Sequence, residues 1–191
     1  KAKQFAPNVV MALQNGGGIR QPIDAGPITV GEIINVLPFG NTLATMQVTG
    51  AELKEAFEHS LKEYPKESGG FLHVAGGRMT VDVEKPVGSR VQKIEYNNNG
   101  TWVEVQPSST YTIATNAFTA KGGDGFTMFA KAYEEGRVTD LGLSDWETFA
   151  EYVAAQKTVT PTLYNYYTKP QTQPTPVPVP PVTGGGGGNT T

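Results

Sequence analysis

Three glycine-containing segments carry side chains whose types and spacing suit ligand binding. They are NGGGIR with Asn15 and Arg20, LPFGN with Phe39, and NAFTAKGGDGF with Phe118 and Asp124. Glycine lets a ligand approach the backbone closely, and a carboxylate accepts two hydroxyl hydrogen bonds, as a ribose diol requires. Each segment also has a simpler interpretation: the first as a strand-to-loop turn that needs positive φ, the other two as loops with a core phenylalanine.

Several other kinds of active site are excluded by what the sequence lacks. NGGGIR has neither the Lys-Ser/Thr ending of a P-loop nor the G-x-G-x-x-G spacing of a dinucleotide fold, and no G-x-S-x-G elbow suggests a serine triad. Two histidines and no cysteine are too few for a dinuclear metal centre. We interpret His59 as a helix-surface residue and His73 as a satisfied strand residue. No catalytic residue, metal site or cofactor is therefore predicted in this segment.

Length and charge limit the classes of function that this chain could have. A chain of 191 residues is long enough for one domain with its own core. A net charge of -3 and a pI near 5.4 give no basic surface for nucleic acid. No apolar run approaches the roughly 18 to 20 residues that span a bilayer. The chain begins at Lys1, which leads us to expect a piece of a longer protein.

Three segments have the pattern of a capped helix. Each begins with Ser or Thr followed three residues later by Glu, the spacing of a capping box. The pairs are Thr29 with Glu32, Thr49 with Glu52, and Ser144 with Glu147. The first helix is predicted to end at Pro38, and the second to place Leu53, Phe57 and Leu61 on one buried face.

Strand-like runs separate these helices. They cover residues 8–14, 41–49, 71–76, 78–83 and 111–118, and residues 91–96 and 101–105 flank the turn sequence NNNG as a hairpin. This order predicts an α+β fold, a mixed sheet with hairpins and a few packing helices, and not a doubly wound parallel sheet.

Composition changes abruptly near Lys169. Residues 169–191 alternate proline with other residues and then contain five consecutive glycines, a composition typical of a disordered spacer. We therefore predict a domain over residues 1–168 and a Pro/Gly-rich linker or wall-spanning tail over residues 169–191. The stalk of a bacterial surface protein and a plain interdomain linker both fit this composition.

Five motifs, in their order and spacing, resemble the C-terminal domain of the 5′-nucleotidase family. They are NGGGIR, LPFGN, TGAELKEAFEHS, SGGFLHVAGG and NAFTAKGGDGF, and the resemblance extends from about Val9 to Ala155. Members of this family join an N-terminal phosphoesterase domain with two metal ions to a C-terminal domain that binds the nucleoside part of the substrate. The resemblance implies the second role for this chain.

The resemblance implies six substrate-binding residues: Asn15, Arg20, Phe39, Gly69, Phe118 and Asp124. The phenylalanines would sandwich the base, the asparagine would contact its edge, the arginine and aspartate would hold the ribose hydroxyls, and the glycine would lie close to the base. Lys121 stands where other members often carry a neutral residue. A further substrate-binding arginine of the family falls before Lys1.

The function implied is metal-dependent hydrolysis of nucleotide phosphate esters, with 2′,3′-cyclic nucleotides as possible further substrates. The divalent metal pair is expected in an N-terminal phosphoesterase domain of the same protein that these residues do not contain. We expect an extracellular or wall-attached bacterial protein. A sugar-nucleotide hydrolase of the same family would keep the same residues, and a non-catalytic surface binding or adhesion module is the alternative of a different class.

Overall fold

The computed structural model describes residues 1–170, so the predicted tail from residue 171 to 191 lies outside the described residues. The strands are β1 (Val9–Asn15), β2 (Thr42–Thr49), β3 (Leu72–Ala75), β4 (Gly77–Val81), β5 (Val91–Asn98), β6 (Thr101–Glu104), β7 (Thr110–Asn116), β8 (Val138–Ser144) and β9 (Tyr167–Thr168). The helices are α1 (Val30–Val36), α2 (Gly50–Ser60), α3 (Ala117–Ala120), α4 (Thr127–Glu134) and α5 (Asp145–Gln156). Within the described range, no helix combines the length and the apolar character that crossing a bilayer needs.

One parallel strand pair sets the geometry of the candidate site. The strands form two sheets, in the orders β3-β1-β7-β2-β8 and β6-β5-β4-β9. β1 and β7 are parallel, with Ala12 opposite Ala114, whereas β2 and β3 pair antiparallel with their neighbours. Because β1 and β7 run in the same direction, their final residues, Asn15 and Asn116, meet at one edge of the sheet. The mixed sheets and the β5–β6 hairpin confirm the predicted α+β fold.

One hydrophobic core combines side chains of both sheets with those of α2 and α4. Leu53, Phe57 and Leu61 are at most 2% exposed, which confirms the predicted buried face of α2. Phe126 and Phe129 are fully buried and stack with ring centroids 5.3 Å apart. The C-terminal end of α2 and the loop before α4 are therefore fixed to the same core.

Two of the three predicted capping boxes are present. The hydroxyl of Thr29 accepts from the N–H of Glu32, whose carboxylate accepts in return from the N–H of Thr29 at 2.7 Å. Thr49 and Glu52 make the same reciprocal pair at the start of α2. These contacts involve residues only three positions apart, so the local sequence is sufficient to specify them.

The third predicted cap is wrong. α5 begins after Ser144 as expected, but the Ser144 hydroxyl makes no capping hydrogen bond. The carboxylate of Asp145 accepts instead from the N–H of Trp146 at 2.8 Å. A donor of the first turn is thereby satisfied from within the helix, and the Ser144 hydroxyl is buried without a hydrogen-bond partner among the described residues.

Four elements, α3, α4, β8 and β9, were absent from the prediction, and α4 and β8 are the longest of them. α4 begins after Phe126 without a side-chain cap, and β8 is largely half-buried and contains Gly142 at a φ of 65°. Neither segment has the capping spacing or the regular alternation that marks an element in sequence. Tertiary contacts stabilise them instead, because Phe129 fills the core and β8 pairs with β2.

Candidate functional site

Asn15, the last residue of β1, lies at the centre of a hydrogen-bond network that is buried except at Asp124. Asn15 itself is 3% exposed. Its Oδ1 accepts from Nδ2 of Asn116 at 2.9 Å and from Oγ1 of Thr119 at 3.3 Å, and its Nδ2 donates to Oδ2 of Asp124 at 2.8 Å. We call these four residues the polar hub. The hub joins the ends of β1 and β7 to α3 and to the single helical turn Gly123–Gly125.

The hub depends on a helix cap at the end of β7. Oδ1 of Asn116 accepts from the backbone N–H of Thr119 at 2.8 Å, which caps α3 and leaves the Asn116 amide nitrogen to donate to Asn15. Sequence analysis missed Asn116 and Thr119. Their spacing carries a usable signal, an asparagine N-cap after a strand, but the partner at Asn15 follows only from the strand order.

Asp124 is held in a left-handed backbone conformation with φ 58° and ψ 17°. This region is uncommon outside glycine, and aspartate tolerates it better than most residues. Nε2 of His59, in the last turn of α2, lies 2.8 Å from the Asp124 carbonyl oxygen, and the ring packs edge-on against Phe126. His59 is half-buried and bonded across the fold, so its interpretation as a helix-surface residue is wrong.

The glycines of NGGGIR let two backbone segments approach closely. The N–H of Gly16 donates to the carbonyl of Phe71 at 2.7 Å, and that of Gly17 to the carbonyl of Gly69 at 2.9 Å. A Cβ on Gly17 would lie 3.1 Å from the Cα of Gly69. None of Gly16–Gly18 has a positive φ. Space explains these glycines, and the interpretation as a turn with positive φ is wrong.

One oxygen of the Asp124 carboxylate faces Gly69. A Cβ on Gly69 would lie 3.9 Å from Oδ1 of Asp124, the oxygen that Asn15 does not bind. Within residues 1–170, Oδ1 receives no hydrogen bond. Asn15 thus orients the carboxylate through one oxygen, and the other oxygen can accept a hydrogen bond from a ligand.

Arg20 stands at the outer side of the glycine turn. Its backbone N–H donates to the Val36 carbonyl at 2.9 Å, and its Nη1 donates to the Gly17 carbonyl at 3.3 Å. The guanidinium carbon lies 5.8 Å from the centroid of the Phe39 ring. Arg20 lines a cleft of about 600 Å³, and the other lining residues are Gly16, Gly17, residues 65–69, Phe71 and His73.

Phe39 and Phe118 are surface residues, 61% and 44% exposed. Their interpretation as core phenylalanines is therefore wrong. The ring of Phe118 rests on the backbone of Gly123, where a Cβ would come within 2.4 Å of Cε1. Both rings present aromatic surface that a ligand could cover, one beside the turn of Asp124 and one beside Arg20.

The six predicted binding residues lie in one connected region. Contacts run in the order Phe39, Arg20, the glycine turn, Gly69, Asp124 and Asn15, and Phe118 joins through Gly123. The region combines a carboxylate, a guanidinium and exposed aromatic rings. Such a set can bind a planar ligand that carries hydroxyl groups.

Two further polar residues near this region have partners elsewhere. The ammonium of Lys121 lies 5.7 Å from the centroid of the Tyr133 ring in α4. Nδ1 of His73 is 2.7 Å from the hydroxyl of Tyr166, and burial lowers the pKa of the His73 ring. These contacts bind Lys121 to α4 and His73 to the segment that leads into β9.

The described residues do not offer a metal site. Across residues 1–170, no three His, Cys, Asp or Glu side chains are grouped so that they could hold a metal ion.

Comparison with known proteins gives a consistent result. The family model for the 5′-nucleotidase C-terminal domain matches residues 1–131. The chain is 42% identical over 152 residues to the trifunctional nucleotide phosphoesterase protein of Bacillus subtilis (strain 168), covering 79% of this chain and 10% of that protein. It is 37% identical over 166 residues to the 5′-nucleotidase of Diplobatis ommata, covering 83% of this chain and 28% of that protein.

A solved structure shares the fold. The 5′-nucleotidase precursor from Thermus thermophilus superposes with a TM-score of 0.82 at 39% identity, over 90% of this chain and 33% of that one. The chain thus spans a third or less of the length of each of these three proteins.

Proposed function

The chain belongs to the 5′-nucleotidase C-terminal domain family, and from this premise we propose that it is the nucleoside-recognition domain of a nucleotide phosphoesterase. The observation that carries the proposal is the Asp124 carboxylate, which Asn15 orients through one oxygen while the other stays open beside Gly69. A ligand with vicinal hydroxyls suits this acceptor, since an ionised carboxylate accepts several hydrogen bonds.

The base is assigned to the two exposed phenylalanines. Phe39 and Phe118 would stack on its two faces, and base–aromatic stacking contributes about 1 to 3 kcal/mol with little preference for base identity. Asn15 is almost fully buried and its Oδ1 is occupied, so the second hydrogen of its Nδ2 is the group it offers to the base edge. Gly69 allows the ligand close to the backbone.

The ribose is assigned to Asp124 and Arg20. The open Oδ1 of Asp124 would accept the hydroxyl hydrogens, and the guanidinium of Arg20 would donate to the hydroxyl oxygens from the side of the glycine turn. Among the described residues, the Arg20 side chain makes one long hydrogen bond, to the Gly17 carbonyl, so it can turn toward a ligand without losing a strong contact.

Ester hydrolysis is assigned to a part of the full-length protein beyond these residues. A divalent metal pair in an N-terminal phosphoesterase domain would activate water and bind the phosphate. This chain would supply binding energy and orientation that bring the ester to those metals. The upstream gene sequence tests this assignment, since we expect D-x-H, G-D and N-H-E type ligand motifs there, and their absence would contradict it.

We extend the proposal to 2′,3′-cyclic nucleotides as further substrates of the full-length protein. The name of the Bacillus subtilis relative, a trifunctional nucleotide phosphoesterase, supports more than one activity in proteins of this kind. Assays of the purified full-length protein with AMP and with 2′,3′-cyclic AMP would test this extension, and activity toward AMP alone would remove it.

An extracellular or wall-attached location is likewise a proposal. Its support is compositional: residues 169–191 have the Pro-rich and Gly-rich sequence of a spacer, and the chain has no cysteine. Fractionation of the source cells with an antibody to this domain is the test. Recovery of the protein in the cytoplasm alone would contradict it.

Steady-state kinetics of the full-length enzyme test the binding roles. We expect Phe39→Ala and Phe118→Ala each to raise KM for AMP by about 5- to 150-fold, the equivalent of one stacked face. Phe5→Ala is the matched control, because Phe5 is also exposed, at 54%, and lies outside the connected region. Unchanged KM in both site variants would overturn the base sandwich.

A further inference from the structure

We propose that His59 is a positioning residue. It holds Asp124 so that the carboxylate is oriented for ribose, and it does not itself touch the ligand. The inference rests on the proposed function, in which Asp124 accepts the ribose hydroxyls. Its structural basis is the 2.8 Å contact between Nε2 of His59 and the backbone carbonyl oxygen of Asp124. A carbonyl oxygen can only accept, so the hydrogen of this bond resides on Nε2 of His59.

The turn that carries Asp124 needs such an anchor. It reads Gly122-Gly123-Asp124-Gly125, and Gly122 and Gly125 have φ of 91° and 84° while Asp124 has φ of 58°. Glycines make a segment conformationally permissive, and a left-handed aspartate is less favourable than an extended or helical one. Contacts from outside the turn must therefore select this conformation.

Two anchors reach Asp124 from different elements. Asn15 at the end of β1 binds the carboxylate, and His59 at the end of α2 binds the carbonyl. The two bonds hold opposite ends of one residue, so together they determine both its position and the direction of its side chain. With the His59 bond removed, the turn would be held at this residue by the Asn15 bond alone.

The His59 ring is itself firmly placed. It packs edge-on against the buried ring of Phe126, with centroids 4.7 Å apart. It also lies against Gly125, where a Cβ would come within 3.2 Å of Cε1. The imidazole thus contacts the turn through its nitrogen and its edge, and a Cβ at position 125 would press on the ring.

The neighbours of His59 make the end of α2 a rigid base. Glu58, which is 8% exposed, accepts from the backbone N–H groups of Arg90 and Val91 at 3.0 and 2.6 Å. The hydroxyl of Ser60 accepts from the N–H of Leu72 at 2.8 Å. The helix end is therefore bound to β3 and to the start of β5, and it transmits that rigidity to Asp124 through His59.

The test compares two ligands on the 191-residue chain. Calorimetry with adenosine and with 2′,3′-dideoxyadenosine isolates the hydroxyl contribution, since only the first can bind the carboxylate through its diol. We expect His59→Ala to reduce the preference for adenosine by about tenfold, the effect of weakening hydrogen bonds to a charged group. His59→Gln should retain most of the preference, because its amide nitrogen can donate from a position close to that of Nε2.

The control is Asn8→Ala, which removes an exposed hydrogen bond to Thr112 outside the connected region and should leave the preference unchanged. A purely structural role of His59 would weaken both ligands equally and leave their ratio intact, which would overturn the proposal. An unchanged ratio with unchanged affinities would overturn it as well.

A second measurement separates this inference from the proposed function. If the wild-type chain binds neither nucleoside, the proposed function is decided by the KM values of the full-length enzyme, and the His59 role is decided by NMR exchange of the Asn15 side-chain amide protons. Faster exchange in His59→Ala but not in His59→Gln shows that His59 maintains the Asn15–Asp124 bond. If the amide protons in both variants exchange as slowly as in the wild-type chain, His59 does not maintain this bond.

Discussion

The two sides of the candidate site are built in opposite ways. On one side the polar hub and His59 form a connected hydrogen-bond network in which the buried Asn15 alone makes bonds to three other hub residues. On the other side Arg20 and Phe39 are exposed, and the guanidinium of Arg20 makes one long hydrogen bond, to the Gly17 carbonyl, and one cation–π contact at 5.8 Å, with Phe39. The first side orients a polar group before any ligand arrives. The second leaves side chains free to adjust to what binds.

The difference shows how one site can combine precise binding of hydroxyl groups with tolerance of different bases. A hydrogen bond to a hydroxyl depends strongly on distance and angle, so its acceptor gains from rigid placement. A stacked aromatic ring tolerates sliding and different bases, so it gains little from being locked. Three substitutions would break or sharpen this comparison.

The largest effect is expected at the centre of the hub. Asn15→Ala removes the shared partner of the buried Asn116 and Thr119 side chains and of the exposed Asp124 carboxylate, and should lower the free energy of unfolding by about 2 to 4 kcal/mol. Urea denaturation followed by circular dichroism measures it. Asn8→Ala removes an exposed bond to Thr112 and should cost less than about 0.5 kcal/mol. Equal losses in both variants would show that the hub is not a stabilising network.

A medium effect, on binding, is expected at Gly123. The Cβ of Gly123→Ala would overlap the exposed ring of Phe118, which can swing into solvent, so adenosine affinity should fall by about 5- to 50-fold while stability changes little. Calorimetry on the 191-residue chain measures the affinity. Gly31→Ala is the control, since its nearest neighbour would be 3.9 Å away and alanine favours the helix. Retained affinity in Gly123→Ala would mean that the placement of Phe118 does not matter.

The smallest effect is expected on the stability of the open side. Phe39→Ala should change the free energy of unfolding by less than about 0.5 kcal/mol, because the ring is 61% exposed. Phe57→Ala, in the core, provides the contrast at about 3 to 5 kcal/mol. If Phe39→Ala lowers the free energy of unfolding nearly as much as Phe57→Ala does, the Phe39 side chain contributes to the stability of the fold, and this prediction is wrong.

Local features of the fold were predictable, and long-range ones were not. The capping boxes of Thr29 and Thr49 and the buried face of α2 join residues three or four positions apart, so spacing alone reveals them. The Asn15–Asp124 bond joins residues 109 positions apart and exists only because β1 and β7 are parallel neighbours. No spacing rule connects those two residues.

The candidate site was likewise predictable in part. Resemblance to a family named six residues, and the structure brings them into one region, while their roles toward a nucleoside stay predictions. His59, Asn116 and Thr119 escaped notice because each acts on another residue of the site, and such partners follow from packing alone. Ser144 misled for the converse reason: the spacing was correct, but the Ser144 hydroxyl makes no capping hydrogen bond.

The three consecutive side chains at the end of α2 also constrain how the chain can change in length. Glu58, His59 and Ser60 hold three separate segments, at residues 90–91, 124 and 72. An inserted residue before Glu58 would turn all three by about 100° and release them together. An insertion in the exposed turn at residues 97–100 would move none of them. Variation in length among related proteins should therefore collect in the hairpin turns and stay out of this helix.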